Sequence, residues 1–138
     1  MVMPVATFRL PLPPSANRMY RVGAGGRVHK AHDYDVWTRE VAYHCMRQAP
    51  GFSCPYRYEI RIVLPPTRKD PDNYIKPTQD ALAKAGMMAN DKHARTIIVE
   101  VKDDHPAGCM SISLCTLPDE PPKRRKRAFK LAAPVSPL

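Results

Sequence analysis

Sixteen of the 138 residues are proline, and their placement limits the fold more than any other feature of this sequence. Proline removes a backbone donor and its ring clashes with the preceding helical turn, so a chain this rich in it cannot be a bundle of long helices. The prolines gather at positions 11–14, 65–77 and 118–137. They mark joints, and the regular elements must lie between them.

Between the joints, two periodicities alternate. Val5 to Leu12 reads as a strand stopped by Pro13 and Pro14. A long polar loop with Gly23, Gly25 and Gly26 follows. From His32 to Gln48, Trp37, Val41 and Cys45 recur at helical spacing until Pro50 and Gly51 end the pattern. Tyr56, Tyr58, Ile60, Ile62 and Leu64 then alternate with Arg57, Glu59, Arg61 and Val63, the period of a strand with one buried face. Ile75, Thr78, Leu82 and Ala85 share a helical face, with Gly86 placed for a left-handed cap. Pro77 is tolerated only in a first turn, which predicts an entry turn over Asp72–Lys76 and a regular helix from about Pro77. Ile97, Val99, Val101 and Met110, Ile112, Leu114 predict two more strands, read as a closing hairpin around His105–Gly108. The expected class is α+β: a single domain with a mixed sheet and two helices in β-α-β-α-β-β order.

That domain is expected to span residues 1–117. Residues 118–138 carry five prolines and the run Lys123–Arg127 with no apolar periodicity, and are predicted to be a disordered basic tail. The chain has 22 Lys and Arg against 13 Asp and Glu, a net charge of +9. Residues 1–117 still hold 16 basic against 11 acidic side chains, so the bias does not rest on the tail. A basic domain points to a polyanionic partner. No apolar stretch is long enough to cross a bilayer and no secretory signal is apparent, so a cytoplasmic location and no membrane partner are expected. Cys45, Cys54, Cys109 and Cys115 lack metal-site spacing and read as reduced, partly buried thiols.

The segment Arg68, Lys69, Asp70, Pro71, Asp72, Asn73, followed by Lys76 and Asp80, departs furthest from what folding alone requires. Pro71 favours an extended Asp70, so the carboxylates of Asp70 and Asp72 project to one side, roughly 7 Å apart. Such a pair repels itself unless a cation intervenes, and oxygen donors select a hard ion such as Mg²⁺. Arg68, Lys69 and Lys76 around it are what phosphodiester chemistry asks for. The alternative is that Asp70 and Asp72 are turn residues or a helix cap. Ser15, Asn17, Arg18, Tyr20, Arg21, Arg27 and Lys30 offer a set of phosphate-positioning donors, or simply a polar surface loop. Tyr56 and Tyr58 could stack bases, although core packing fits strand-spaced aromatics better. Met87 and Met88 suit packing between subunits or a substrate contact.

Three ordered blocks resemble the RusA-type Holliday junction resolvases. Leu12, Pro13, Pro14, Ser15, Ala16, Asn17, Arg18, Met19, Tyr20, Arg21 is similar to that family's opening L-P-x-P-P-S-x-N-x-x-Y-R. Asp70, Pro71, Asp72, Asn73, Tyr74, Ile75, Lys76 with Asp80, Ala81, Leu82 is similar to D-x-D-N-x-x-K followed by D-A-L. Asn90 and Asp91 stand where the family has an acidic pair. The resemblance implies a structure-specific endodeoxyribonuclease, often phage-borne, that resolves four-way DNA junctions as a homodimer. It implies Mg²⁺, with Mn²⁺ as the alternative, and no small-molecule cofactor. By resemblance Asp70, Asp72 and Asp91 are metal ligands and Lys76 the cation at the scissile phosphate. Asn17, Arg18, Tyr20, Arg21, Arg27, Lys30, Arg68, Lys69 and Asn73 are candidate DNA contacts. One carboxylate of the usual pair is replaced by Asn90. The competing reading is a non-catalytic protein that binds junctions or single-stranded DNA.

Overall fold

The computed structural model describes residues 5–14, 20–22, 28–30 and 32–118. The predicted basic tail, from residue 119 onward, lies outside them. Among the described residues, six strands and two helices run in the order β1 (Val5–Pro11), β2 (Tyr20–Val22), β3 (Val28–Lys30), α1 (His32–Gln48), β4 (Tyr58–Leu64), α2 (Ile75–Lys84), β5 (Ala94–Val101) and β6 (Cys109–Thr116). The stretch expected to be only a polar loop therefore holds a short antiparallel ribbon, Tyr20 opposite Lys30 and Val22 opposite Val28. Three-residue strands leave too little alternation for a period to be read from the sequence.

The main sheet is mixed, in the order β1-β6-β4-β5. β6 is antiparallel to both β1 and β4, whereas β4 and β5 are parallel. The expected β5–β6 hairpin does not form. α2 carries the chain from the end of β4 back to its start, so β5 pairs parallel to β4 and β6 enters on β4's other side. Residues 102–108 pass over the end of β4, where the Lys102 N–H donates to the Leu64 carbonyl at 3.0 Å. Alternation reveals a strand and its buried face but not its neighbour.

The core is the apolar face of this sheet under the two helices. Ala6, Phe8 and Leu10 of β1, Tyr58, Ile60, Ile62 and Leu64 of β4, and Met110, Ile112 and Leu114 of β6 are all buried. α1 contributes the stripe Tyr34, Trp37, Val41 and Cys45, spaced as one face of a helix requires. The Trp37 indole N–H donates to the Pro11 carbonyl at 2.9 Å and fixes α1 to the end of β1. Met87 and Met88 are buried in this same core, so neither is available to another subunit or a substrate. All four cysteines are free thiols; Cys45 and Cys54 are buried, and Cys109 and Cys115 partly so. No helix among the described residues is long and apolar enough to cross a membrane.

The two edges of the sheet are finished differently. At the β1 edge the Gln48 side chain acts as a surrogate strand, accepting from the Arg9 N–H and donating to the Arg9 carbonyl, both at 2.8 Å. At the β5 edge no strand pairs among the described residues. Ile97 and Val101 lie on the core side, opposite Ile60 and Leu64, yet are 41 % and 43 % exposed.

Candidate active site

Asp70 and Asp72 stand at the entrance to α2. A 3-10 turn, Pro71–Tyr74, precedes the helix, with Asp70 in extended backbone before it and Pro71 in its first position. The fixed φ of proline suits that position, where its missing N–H costs nothing. The Asn73 N–H donates to the Asp70 carbonyl at 3.0 Å and closes the turn. The regular helix starts at Ile75, two residues before the expected start. Pro77 is still within its first turn and is buried.

Asp70 holds the N-cap position, but its side chain makes no capping hydrogen bond. Asp70, Asp72, Asn73, Arg68 and Lys69 are all exposed. The turn that carries the carboxylates is thus held by backbone bonds, and capping does not consume the Asp70 carboxylate. The Thr67 hydroxyl donates to the Lys69 carbonyl at 2.7 Å and orders the basic pair just ahead of it. From the first turn of α2, Lys76 Nζ reaches to 3.3 Å from Asp80 Oδ1, one turn further on. With the Lys76 side chain 76 % exposed, this pair orients the ammonium more than it stabilises the fold.

Asp91 arrives from the other end of α2. Gly86, at φ +83°, turns the chain out of the helix, a left-handed conformation that glycine adopts without a steric penalty. A short 3-10 turn, Asp91–His93, then leads directly into β5. Asn90 caps that turn, its Oδ1 accepting from the Lys92 N–H at 2.9 Å. Asp80, Lys84, Asn90 and Asp91 line a cavity of about 200 Å³ beside α2. The sequence motifs assign no separate role to Lys84 or to Asp80. The signal for Asp80 is its spacing, four residues after Lys76, which puts both on one face of a helix.

The structure does not gather all three candidate ligands. Asp70 and Asp72 precede α2 and Asp91 follows it, and ten helical residues rise about 15 Å. Among the described residues no group of three or more His, Cys, Asp or Glu is placed to hold a metal ion. As a donor set the three aspartates suit a hard divalent cation, with two on one turn and the third beside Asp80. Among the other candidates, Tyr20, Arg21 and Lys30 belong to the backbone of the β2–β3 ribbon. Asn17, Arg18 and Arg27 lie outside the described residues.

Beneath Asp91 is a buried polar contact that no periodicity or motif predicts. The Tyr58 phenol donates to Gln79 Oε1 at 2.7 Å and lies 3.3 Å from the Asp91 carbonyl oxygen. Burial pushes the Tyr58 phenol well above its usual range, with the nearby Asp91 carboxylate and, less, the Cys54 side chain adding to the effect. The phenol stays protonated and remains a donor. Tyr56, only half-buried, lies edge-on to His93 with ring centroids 4.6 Å apart, and the Arg57 guanidinium sits 5.1 Å from the centre of the Tyr56 ring. Tyr58 is therefore core, whereas Tyr56 belongs to a surface cluster next to Asp91.

Residues 11–112 match the family model described as Endodeoxyribonuclease RusA. The chain is also similar to the crossover junction endodeoxyribonuclease RusA of Aquifex aeolicus, at 35% identity over 86 residues, covering 60% of this chain and 67% of that protein. The protein of the same name from Escherichia coli K12 is 35% identical over 89 residues, covering 62% of this chain and 72% of its own. With the family match spanning both ends of α2 and the whole of the parallel pair β4 and β5, this chain belongs to the RusA endodeoxyribonuclease family.

Proposed function

We propose that this protein is a structure-specific endodeoxyribonuclease that resolves four-way DNA junctions by Mg²⁺-dependent hydrolysis, working as a homodimer. The observation that carries the proposal is the exposed Asp70–Asp72 turn. It presents a carboxylate that does no capping, flanked by Arg68 and Lys69 and followed by Lys76, in a chain related to crossover junction endodeoxyribonucleases. When bound, the metal would activate water for attack on phosphorus and stabilise the leaving oxygen. Asp70, Asp72 and Asp91 would hold it. Arg68, Lys69 and Asn73 offer donors to the DNA backbone, and Lys76, steadied by Asp80, sets a cation beside the phosphate. No covalent intermediate is needed, since nothing at the turn resembles an activated nucleophile.

The dimer accounts for two features that one chain leaves open. An unpaired strand edge bearing exposed Ile97, Ile98 and Val101 is a template for pairing with a second chain. Two copies joined edge to edge about a twofold axis pair β5 antiparallel, so the start of one β5, just after Asp91, meets the end of the other. The Pro71–Tyr74 turn itself packs against β5. Carboxylates separated by the length of α2 in one chain can thus be drawn from two chains at one site. The basic tail, residues 118–138, adds electrostatic attraction for DNA without reading junction shape.

The test is an end-labelled four-way junction beside a linear duplex of matching sequence, each with Mg²⁺ or with EDTA. Paired nicks in opposed strands, only on the junction and only with metal, are the expected result. Tight junction binding with no cleavage at any Mg²⁺ or Mn²⁺ concentration would refute the nuclease and support the non-cutting binder.

A further inference from the structure

We propose that Tyr58 and Gln79 are positioning residues, a buried clamp that fixes the backbone of Asp91 against the middle of α2. The proposal rests on the reading of Asp91 as a metal ligand.

Packing alone does not require this contact in the core. Tyr58 is 0 % exposed and Gln79 7 %. A phenylalanine and a methionine would fill the same space without burying a hydroxyl and an amide. The polar atoms instead join three separate pieces of chain: the first residue of β4, the fifth residue of α2, and the turn that carries Asp91. One phenolic proton faces two oxygens. It serves Gln79 Oε1 in the orientation described, while exchanging the amide's oxygen and nitrogen would let Gln79 donate to the phenol and the phenol to the Asp91 carbonyl. Either arrangement keeps the phenol between α2 and Asp91.

The sheet is adapted at the same place. Along the β4–β5 ladder Tyr58 pairs with Ala94 but Glu59 with Thr96, so Arg95 is an extra residue on β5. A bulge of this kind bends a strand and redirects the chain entering it. Here the entering chain is Asp91–His93, and the bend lies opposite the tyrosine whose hydroxyl meets Asp91. Asn90 holds the turn by its side chain and Tyr58 holds it by a main-chain carbonyl. The carboxylate projects from a backbone fixed on both sides.

Tyr58→Phe and the double variant Tyr58→Phe with Gln79→Met test this. Three readouts are compared: Tm, amide hydrogen exchange at Lys92 and His93, and the Mg²⁺ concentration giving half-maximal junction cleavage. The single variant leaves the Gln79 amide buried without its partner and should lower Tm. The double replaces both polar groups with apolar ones of similar shape and should recover it. In both variants, exchange at Lys92 and His93 should be several-fold faster than in wild type. The Mg²⁺ requirement should rise about tenfold, as loss of a group supporting a metal ligand does. If exchange and Mg²⁺ requirement return to wild type along with Tm in the double variant, or never change, the pair is merely structural and the proposal is overturned. Asp91→Asn separates the two readings. Wild-type cleavage by that variant would overturn the assignment of Asp91 itself, whatever the exchange rates show.

Discussion

Position 90 offers a sharp test, because it is the one place where this chain departs from the acidic pair of the family pattern and the structure gives the departure a physical role. Asn90 Oδ1 accepts the Lys92 N–H at 2.9 Å with the residue itself in extended backbone, φ −162° and ψ 139°. Asparagine and aspartate cap equally well, and removing either for alanine costs about 1 kcal/mol. Asn90→Asp should therefore leave stability unchanged within about 0.5 kcal/mol, the ordinary range for a surface substitution. Asn90→Ala should lose about 1 kcal/mol, which for a domain of this size lowers Tm by roughly 4 °C. The functional expectation follows from the same bond. That bond holds the position-90 side chain against the Lys92 N–H. Although aspartate would keep its second oxygen free, the side chain is oriented by the cap and not by a metal, so Asn90→Asp should change neither the cleavage rate nor the Mg²⁺ requirement by more than about threefold, under 0.7 kcal/mol. Asn90→Ala, by loosening the turn under Asp91, should raise the Mg²⁺ requirement. Thermal unfolding and single-turnover junction cleavage across a Mg²⁺ titration measure all of this. A tenfold or greater gain from Asn90→Asp would refute the reasoning, since the position would then be supplying a missing ligand rather than a cap.

Other expectations follow from single features. Lys76→Met should leave stability within about 0.5 kcal/mol, because the ion pair with Asp80 is exposed, yet cut cleavage by about 100-fold if the ammonium meets the phosphate; unfolding curves and cleavage rates read the two separately. Gly86→Ala should cost about 1 kcal/mol in urea unfolding, entirely through its positive φ, since an added Cβ would meet nothing within 4 Å. Burial pushes the Cys45 thiol from 9.0 up to about 11. The unfolded chain ionises first as pH rises, so stability should fall between pH 9 and 11 and fall less in Cys45→Ala, as urea midpoints at pH 8.5 and 10.5 would show. If the two ends of α2 meet across a dimer, mixing Asp72→Asn with Asp91→Asn chains should restore part of the cleavage that each lacks alone.

How much of the fold and site is legible in the sequence depends on whether the deciding physics is local. α1 and the apolar face of β4 follow from side-chain period, so Trp37, Val41, Ile60 and Ile62 are assigned to the core by spacing alone. Gly86 is readable too, because a left-handed cap demands a particular residue. The pairing of β5 is not, since Ile97 and Val99 alternate in the same way whether their neighbour is β4 or β6. The same limit applies at the site. Asp70, Pro71 and Asp72 declare themselves by adjacency, and the family resemblance supplies Asp91. The Tyr58–Gln79 contact joins residues 21 apart through a buried hydroxyl, and nothing in a strand-spaced tyrosine separates that role from ordinary packing. The cap made by Asn90 is likewise invisible in the sequence, where the residue reads only as a carboxylate lost.

The most direct test of the central claim compares junction cleavage and junction binding by wild type and Asp72→Asn in the presence of Mg²⁺. Asp72 is exposed on a turn closed by backbone hydrogen bonds, so the substitution should leave the fold intact. It removes a negative charge from the proposed metal site and from the proposed path of the phosphate. Cleavage lost by at least 1,000-fold, about 4 kcal/mol in the barrier, with binding unchanged or tighter, is the expected result. Cleavage retained, or cleavage and binding lost together, would contradict the assignment of this turn as the metal-holding centre.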